Sequence, residues 1–575
     1  MSSSRGLVLA ALWLGIGAQL AGAASITGLV PITDLGAGTY AGFPGGLYPG
    51  GVNTPPPAHL AAALAAAAQI VPRDAAGAPQ ASGWIGMIAV GMSNTTHEFG
   101  AFERNADRDV SRNARVLLMD TGLGGQTATI LANPTASYWT TMGQRVTAMG
   151  LSPAQVQVAW LKEAEANPPN NFPLHAQALR DTLVRVVQNL HDKFPNLRIV
   201  YLSSRIYGGY GVQGGLNPEP QAYESGFAVK WLIEQQISGS AALNADPNAG
   251  PVRAPWLLWG PYLWANGTSP RSDGLVWTPN DLESDHVHPS PAGEQQVARL
   301  LQQFFATDTT AAPWWRAQPG VSLRWLDATD DATVALATPA ANFGADTLLS
   351  AAAGAAAQNT YQRFDGSAVT DPVLHAKLSL RVFSGGGGAV RLVNSTSWGE
   401  GTVTWATAPA LGATLASMPQ ASRDGTWGSQ VTSAWNADAD HVLSFALTTP
   451  VVGPMNYHSR EGNDPPRLVL VVSVPVTAVT PGATSGMTLA ASPNPAFAAA
   501  NVAFTLPARE RVSLAVYAID GRRVRVLADG LLEAGAQALR WDGRDDAGRP
   551  VTPGVYLMRL ATASGTSVAR VAMLR

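Results

Sequence analysis

The residues best suited to covalent chemistry lie at two distant points of the chain. Ser93 stands in GMSN (91–94), directly after the apolar run WIGMIAV (84–90). A serine in a tight turn after a strand can expose its hydroxyl, and a helix that starts there directs backbone N–H groups at a substrate oxygen. Asp285 and His288 form an Asp-x-x-His arrangement, in which the carboxylate can hold one imidazole nitrogen while the other faces a serine. The pattern predicts a serine nucleophile with a histidine base.

A glycine-rich loop is a second candidate for the same chemistry. GLGGQTA (122–128) follows another apolar run, RVLLMD (115–120). Adjacent glycines let a backbone N–H group approach a reacting oxygen closely, as stabilisation of an oxyanion requires. The loop therefore predicts backbone donors for a reaction at a carbonyl group.

Other titratable residues near these motifs have simpler interpretations. His97 and Glu98 follow the serine closely and are expected on the surface of a helix. His286 and His288 form a His-x-His pair beside Asp285, but the sequence holds no second histidine cluster to complete a metal site. The chemistry is expected to need no metal and no organic cofactor.

Alternating strand and helix patterns surround these motifs. Further buried-strand patterns are VQVAW (156–160), LRIVYLSS (197–204) and PWLLWGPYL (255–263), and helical patterns occupy 175–194, 224–237 and the segment that begins at Ser290. Strands that alternate with helices predict a parallel sheet covered on both faces, which is a three-layer α/β fold. Ligands bind such a sheet at the carboxyl ends of its strands, where the motifs stand.

Composition limits the classes of protein to consider. A chain of 575 residues is too long for one core and predicts about three folded units. With 46% hydrophobic and 13% charged residues, wholesale disorder is excluded. The net charge of −3 gives no indication of a nucleic-acid partner. Because cysteine is absent, disulfides, thiolate nucleophiles and thiolate metal sites are excluded as well.

The N-terminal residues predict secretion. Arg5 precedes the apolar run LVLAALWLGIGAQL (7–20), and Ala21, Gly22 and Ala23 form an A-x-A cleavage pattern. The run is too short and too rich in glycine for a good membrane anchor. A secreted protein is expected.

Changes in residue composition and pattern along the chain predict the domain boundaries. Short alternating runs rich in Thr, Val, Ser and Gly replace the helical patterns after about residue 320, and a Thr/Pro/Gly/Ser stretch separates two such β regions. The last region contains a predicted hairpin turn at Asp520 and Gly521. The predicted units are a signal peptide (1–24), an α/β domain with an N-terminal wrapping segment (25–315), a β-sandwich (320–474), a linker (475–487) and a second β domain (488–575).

The first domain resembles the SGNH (GDSL-like) serine hydrolases, over roughly residues 82–306. The order and strand context of three of the family's sequence blocks agree. The corresponding segments are GMSN (91–94), GLGGQTA (122–128) and DHVH (285–288). The resemblance implies a flavodoxin-like three-layer α/β fold and the activity of a carboxylic ester hydrolase.

The resemblance also implies roles for single residues. Ser93 would be the nucleophile, His288 the general base and Asp285 the group that orients the histidine. The N–H groups of Ser93 and Gly125 would stabilise the oxyanion. Met92 stands where the family usually has aspartate, as in a variant found in some carbohydrate acetylesterases.

The third block of the family, which supplies an asparagine to the oxyanion, is missing. The strand VQVAW (156–160) leads instead towards Lys162, which is expected to act as a cationic donor to the oxyanion. Asn94 or Asn167 are the alternative donors. A further alternative is that Lys162 forms a salt bridge with a neighbouring glutamate, Glu163 or Glu165.

The two β regions resemble known accessory domains. The first resembles the DNRLRE β-sandwich, through ATDDATV (328–334), AKLSLRV (376–382), SWGEGTVTW (397–405) and YHSREG (457–462). That resemblance implies carbohydrate binding. The second resembles FlgD-like immunoglobulin domains, through VYAIDGRRVR (516–525) and WDGRDDAGRPVTPGVYLMRL (541–560). This resemblance implies attachment to the cell surface, or export by secretion machinery, in a Gram-negative type of bacterium.

Together these observations predict a secreted serine esterase that removes O-acyl groups, acetyl above all, from a polysaccharide. The alternative is a non-catalytic surface protein that binds glycans and carries a degenerate hydrolase domain. The complete set of Ser93, His288 and Asp285 favours the enzyme, whereas the missing asparagine favours the binding protein.

Overall fold

The structure is a computed structural model. It describes residues 27–475 except 212–215, 217, 386 and 419–420, and residues 489–573 except 493–495, 497–498, 507, 519–521, 553 and 563–564. The predicted signal peptide, the predicted turn at Asp520 and Gly521, and the predicted linker apart from Pro475 lie outside the described residues. The chain divides into two compact units, Met1–Val474 and Pro475–Arg575. The α/β region and the first β region, expected as separate domains, therefore lie in one compact unit.

The N-terminal segment covers an edge of the α/β region. Its elements are α1 (Ile32–Leu35), β1 (Thr39–Tyr40), β2 (Phe43–Pro44) and α2 (Pro57–Ala67). The Tyr48 hydroxyl accepts a hydrogen bond from the backbone N–H of Trp259 (3.1 Å), and His59 Nε2 donates to the carbonyl oxygen of Leu257 (2.9 Å). Both bonds satisfy backbone groups of an edge strand that would otherwise be open to pairing with another chain.

A parallel sheet forms the centre of the α/β region. Its strands are β3 (Ile85–Gly91), β4 (Val116–Met119), β5 (Val156–Lys162), β6 (Ile199–Leu202) and β7 (Trp256–Trp259), in the spatial order β4-β3-β5-β6-β7. Every residue of β3 is buried, as expected of a strand covered on both faces. The chain passes from β3 to one side of the sheet and then crosses to the other, so the crevice for a ligand lies at the carboxyl ends of β3 and β5.

Helices connect these strands and follow the last of them. They are α3 (Ser93–Ala106), α4 (Ala128–Leu131), α5 (Ser137–Ala148), α6 (Leu174–Lys193), α7 (Gln221–Ile237), α8 (Pro291–Thr307) and α9 (Ala312–Trp315). Helix α3 packs against α8, and α6 packs against α7. In the part of the chain that the structure describes, no helix combines the length and apolar character needed to cross a bilayer.

Residues 321–473 form an antiparallel β-sandwich with one short helix. Its elements are β8 (Val321–Asp327), β9 (Asp330–Ala335), β10 (Leu348–Ala351), β11 (Gln358–Asp365), β12 (Val373–Ser384), β13 (Gly388–Val393), β14 (Leu411–Met418), β15 (Thr426–Gln430), α10 (Thr432–Ala437), β16 (Val442–Thr448), β17 (Met455–His458) and β18 (Arg467–Ser473). One sheet has the order β10-β17-β12-β18-β8, with β15 also paired to β12, and the other has the order β14-β13-β16-β11-β9. Leu378, Phe364 and Phe445 are among the residues buried between the sheets.

The β-sandwich packs on the α/β region through buried polar contacts. The Lys377 ammonium lies 2.5 Å from Glu103 Oε1 and 2.7 Å from Asp107 Oδ2, and all three side chains are buried. His375 Nε2 donates to the carbonyl oxygen of Met149 (3.0 Å). A buried charge that loses its partner is costly, so these contacts hold the sandwich in one position on the α/β region.

The second compact unit is also built from β-strands. They are β19 (Leu489–Ser492), β20 (Ala500–Leu506), β21 (Glu510–Ala518), β22 (Arg523–Leu532), β23 (Gly535–Trp541), β24 (Gly554–Thr562) and β25 (Gly565–Met573). They form two sheets, β19-β20-β23 and β22-β21-β24-β25. Trp541, Tyr556 and Met558 are buried in its core. The expected architecture, an α/β region followed by β domains, is confirmed.

Candidate active site

The turn between β3 and α3 places Ser93 at the carboxyl edge of the sheet. Gly91 has a φ of +152°, and a Cβ at this position would lie 2.2 Å from the carbonyl oxygen of Lys162. Only glycine therefore fits where the chain turns out of the strand. Helix α3 begins at Ser93, and the first N–H groups of a helix have no partner within it. The serine hydroxyl and free backbone donors thus lie side by side.

Ser93, His288 and Asp285 form a continuous row of hydrogen bonds. Ser93 Oγ lies 2.8 Å from His288 Nε2, and His288 Nδ1 lies 2.6 Å from Asp285 Oδ2. Because the carboxylate accepts from Nδ1–H, Nε2 has a free lone pair that can accept the serine proton. The structure brings together the three residues that the sequence singled out.

The Asp285 carboxylate is held in its charged form. Its Oδ1 accepts hydrogen bonds from the backbone N–H groups of Val287 (2.9 Å) and His288 (3.0 Å). Partial burial raises the pKa of Asp285, but the hydrogen bonds from the His288 ring and these two N–H groups outweigh it and lower the pKa to about 2. A negative charge beside the imidazole is therefore present throughout the neutral pH range.

A cavity of about 260 Å³ opens beside this row, and both halves of the compact unit line it. Its lining residues are Ser93, His97, Leu123, Gly124, His288, Ala421, Ser422 and Arg423. The Gly124 N–H donates to Ser422 Oγ (2.7 Å), and Arg423 Nη2 lies 2.8 Å from Glu283 Oε1. Ser422 and Arg423 belong to the β-sandwich. Sequence reasoning missed both residues, because no motif marks this loop and its place beside Ser93 depends on how the two regions pack.

Lys162 does not line this cavity, which corrects its expected role as an oxyanion donor. Its ammonium bonds both carboxylate oxygens of Glu98, and both side chains are buried. Burial lowers the pKa of Lys162 to about 8, although the Glu98 carboxylate opposes that shift. Burial raises the pKa of Glu98, against the effect of Lys162. The expectation of an exposed Glu98 is wrong, since the glutamate turns inward to pair with the lysine.

The other expected donors lie elsewhere too. Asn94 is buried, and its Nδ2 donates to the carbonyl oxygen of Val287 (3.0 Å), so it supports the loop that carries His288. Asn167 is exposed. Gly125 has a φ of +75° and does not line the cavity, whereas its neighbour Gly124 does.

A buried polar cluster lies behind His288. The His97 ring stacks on the His288 ring with centroids 5.3 Å apart, so the expectation of an exposed His97 is wrong. Burial lowers the pKa of His97 to about 4 and raises that of Glu294 to about 7. His97, Glu294 and Asp424 lie close enough to share a metal ion.

Arginine side chains already form ion pairs with the two carboxylates of this cluster. Arg381 Nη2 lies 3.4 Å from Glu294 Oε2 and 3.1 Å from Asp424 Oδ1, and Arg104 Nη2 lies 3.6 Å from Glu294 Oε2. The cluster is therefore a charge-balanced ion-pair network that joins the α/β region to the sandwich behind the candidate active site.

Two family models match the C-terminal half of the chain. Residues 324–472 match carbohydrate-binding module family 96, and residues 494–566 match the FlgD Ig-like domain. This match gives the β-sandwich the name carbohydrate-binding module used below. The expectations of a carbohydrate-binding sandwich and a FlgD-like domain are thereby confirmed. The match lies in the same compact unit that holds Ser93.

Comparisons with whole proteins give distant matches. No curated protein matches the chain. Among solved structures, FlgD from P. aeruginosa is 26% identical over 13% of this chain and 58% of its own, with a TM-score of 0.12. A β-glucuronidase from Parabacteroides merdae is 14% identical over 37% of this chain and 28% of its own, with a TM-score of 0.12. A β-glucuronidase from Lactobacillus rhamnosus is 10% identical over 44% of this chain and 45% of its own, with a TM-score of 0.15. This chain covers less than two thirds of the length of each of these three proteins.

Proposed function

We propose that residues 25–315 are an SGNH-type serine esterase that hydrolyses O-acyl groups, acetyl above all, on a polysaccharide. The observation that carries the proposal is the hydrogen-bonded row from Ser93 through His288 to Asp285. The strand order β4-β3-β5-β6-β7 supports the flavodoxin-like fold of that family, because it is the second-first-third-fourth-fifth order of such sheets. Ser93 lies at the ligand-binding crevice that this order creates.

In the proposed reaction Ser93 Oγ attacks the ester carbonyl while His288 Nε2 takes the serine proton. Asp285 keeps the other ring nitrogen protonated and stabilises the imidazolium that forms. The alcohol of the sugar leaves with the proton from His288, and the serine carries the acyl group. Water then attacks the acyl-enzyme, with His288 again acting as base, and the carboxylic acid is released.

The negatively charged carbonyl oxygen needs preorganised donors. The Ser93 N–H at the start of α3 is one of them, aided by the positive end of the helix. Ser422 is proposed as the donor that replaces the missing asparagine. Its oxygen accepts from Gly124 N–H, and a hydroxyl in that position can donate its own hydrogen to an oxygen in the cavity.

The carbohydrate-binding module supports a glycan as the substrate. The cavity of about 260 Å³ beside Ser93 has room for a short acyl group such as acetyl. Together with the predicted signal peptide and the FlgD Ig-like domain, these features support an enzyme that acts outside the cell, attached to its surface or exported through secretion machinery.

The test compares the full chain with its Ser93→Ala variant. The parent should release nitrophenol from nitrophenyl acetate and acetate from O-acetylated polysaccharides. Ser93→Ala should lose about 10⁴-fold or more in rate, because the three residues act as a unit. An unchanged thermal midpoint would show that the variant is folded. Equal rates in the parent and the variant would reject the assignment of the nucleophile.

A second candidate function is glycan binding without hydrolysis. It is favoured by the Ser422 hydroxyl, which occupies the Gly124 N–H that a substrate oxygen could use. Retention of the parent on polysaccharide, without release of any acid from acylated glycans or nitrophenyl esters, would establish this alternative.

A further inference from the structure

Three carboxylates converge at one end of the carbohydrate-binding module. Asp331 lies on β9, Glu400 in the connection between β13 and β14, and Glu461 in the connection between β17 and β18. One carboxylate oxygen from each residue lies within 4.8 Å of the other two. Three segments far apart in sequence thus bring together negative charges that repel one another.

The two carboxylate oxygens of Asp331 differ in their hydrogen bonding. The side chain is 1% exposed, its Oδ2 accepts from the Arg460 N–H (2.8 Å), and its Oδ1 is buried without a hydrogen-bond partner among the described residues. An unpaired buried carboxylate is costly, and a cation beside Oδ1 would remove that cost.

The charges around this cluster do not balance. Arg460 Nη1 bonds Glu400 Oε2 (2.7 Å) and lies 3.9 Å from Glu461 Oε1. The neighbouring Asp330 already pairs with Arg363. When all three carboxyl groups are ionised, the guanidinium of Arg460 leaves two negative charges, which one divalent cation would neutralise. The His97 cluster behind the candidate active site differs, because arginines there already balance its carboxylates.

The ligand atoms select the kind of cation. All of them are carboxylate oxygens, which hard cations prefer, whereas Zn²⁺ and Cu²⁺ favour imidazole or thiolate. Ca²⁺ binds oxygens at about 2.3–2.6 Å in flexible geometry, so ligands on opposite sides of the ion lie about 5 Å apart. One oxygen of each carboxylate lies within 4.8 Å of the others, which is compatible with that range. Mg²⁺ demands shorter bonds and near-octahedral order.

We propose that Asp331, Glu400 and Glu461 bind one Ca²⁺ ion in the carbohydrate-binding module. The ion ties strand β9 to two connections at the same end of the sandwich. The second connection continues to Asp464, which lies 3.3 Å from Arg104 Nε in the α/β region. Calcium therefore stabilises the sandwich and steadies its contact with the α/β region, whether or not the protein hydrolyses esters.

The test uses the full chain after treatment with EDTA. Titration with CaCl₂ in a calorimeter should show one site, and saturating CaCl₂ should raise the melting temperature by several degrees. Asp331→Asn and Glu461→Gln should each weaken Ca²⁺ binding at least tenfold. Asp365→Asn removes an exposed carboxylate of the same sandwich that accepts hydrogen bonds from Ser367 in its own turn, and it should bind Ca²⁺ as the parent does. MgCl₂ at the same concentration should raise the melting temperature less.

Two results would overturn the proposal. One is a parent that takes up no Ca²⁺ and melts at the same temperature in EDTA and in CaCl₂. The other is a Glu461→Gln variant that binds Ca²⁺ with the affinity of the parent. Glu461 is partly exposed, so this variant is expected to fold even if Asp331→Asn does not.

Discussion

At the scale of single residues, Asp285 decides which nitrogen of His288 carries the proton. An amide in its place can donate to Nδ1, which would leave the proton on Nε2, facing Ser93. Asp285→Asn should therefore lower kcat by about 10⁴-fold in the proposed esterase, with little change in the melting temperature. Steady-state rates on nitrophenyl acetate test this. A loss below tenfold in the folded variant would show that Asp285 is not needed to orient the ring.

Ser422 is the residue through which the carbohydrate-binding module reaches the proposed reaction. Loss of one oxyanion donor typically costs on the order of 10²-fold in kcat. Ser422→Ala should show a loss of that order with KM nearly unchanged, and Ser422→Thr, which keeps the hydroxyl, should recover much of it. A transition-state analogue such as a boronic acid should bind Ser422→Ala more weakly by the same factor by which kcat/KM falls.

The matched control for Ser422 is Ser395, an exposed serine of the same sandwich. Ser395→Ala should leave kcat and KM unchanged. If Ser422→Ala instead raised kcat, the hydroxyl would be blocking the Gly124 N–H rather than helping the reaction. If Ser93→Ala kept full activity, the assignment of the nucleophile would be wrong, and this result differs from either outcome for Ser422→Ala.

At the scale of elements, the Lys162–Glu98 pair joins β5 to α3 beneath Ser93. Lys162→Met leaves the Glu98 charge buried and unpaired, which should lower the free energy of unfolding by about 3–5 kcal/mol. The double variant with Glu98→Leu removes both charges and should recover most of that loss. Urea unfolding of the parent and the two variants measures the effect.

This prediction also decides the role of Lys162 in the reaction. Under conditions in which Lys162→Met is fully folded, its kcat should stay within a few-fold of the parent, because the ammonium does not line the cavity. A variant as stable as the parent but with a much lower kcat would place the ammonium at the acyl oxygen instead.

The sequence predicted the elements of the candidate site better than their mutual contacts. Local patterns were enough for the strand before Ser93, the Asp-x-x-His turn and the order of the motifs, because each depends on residues near in sequence. The pairing of Lys162 with Glu98 depends on how α3 packs over the sheet, and no local pattern reports that. For the same reason His97 and Glu98, which look like exposed helix residues, are buried.

At the scale of the whole molecule, the carbohydrate-binding module and the α/β region depend on each other. Lys377 forms its ion pairs with Glu103 and Asp107 of the α/β region, and the loop with Ser422 closes one side of the cavity beside Ser93. The sequence pattern places the boundary between the two regions near residue 315, because helical patterns give way to strand patterns there. The pattern does not predict the buried polar contacts between the two regions, because these contacts join residues more than 250 positions apart.

His375 makes this contact sensitive to acid. Its Nε2–H donates to the Met149 carbonyl, and its Nδ1 is buried without a hydrogen-bond partner among the described residues. Burial lowers the pKa of His375 to about 4, although the bond to Met149 opposes that shift. The unfolded chain, with a histidine pKa near 6.5, therefore binds more protons than the folded chain between about pH 4 and 6.5. Stability is fully present above that window and is lost as the pH falls through it.

This one group should contribute up to about 1.4 kcal/mol of unfolding free energy per pH unit within the window. His375→Gln keeps a donor for Met149 but cannot be protonated, so its stability should fall less steeply than that of the parent between pH 6.5 and 4. Urea unfolding at several pH values measures the slopes. His191→Gln, which removes a partly exposed histidine on α6, is the control and should retain the parent's slope. Equal slopes for His375→Gln and the parent would mean that the sandwich admits water to His375 and that its contact with the α/β region is looser than the buried ring implies.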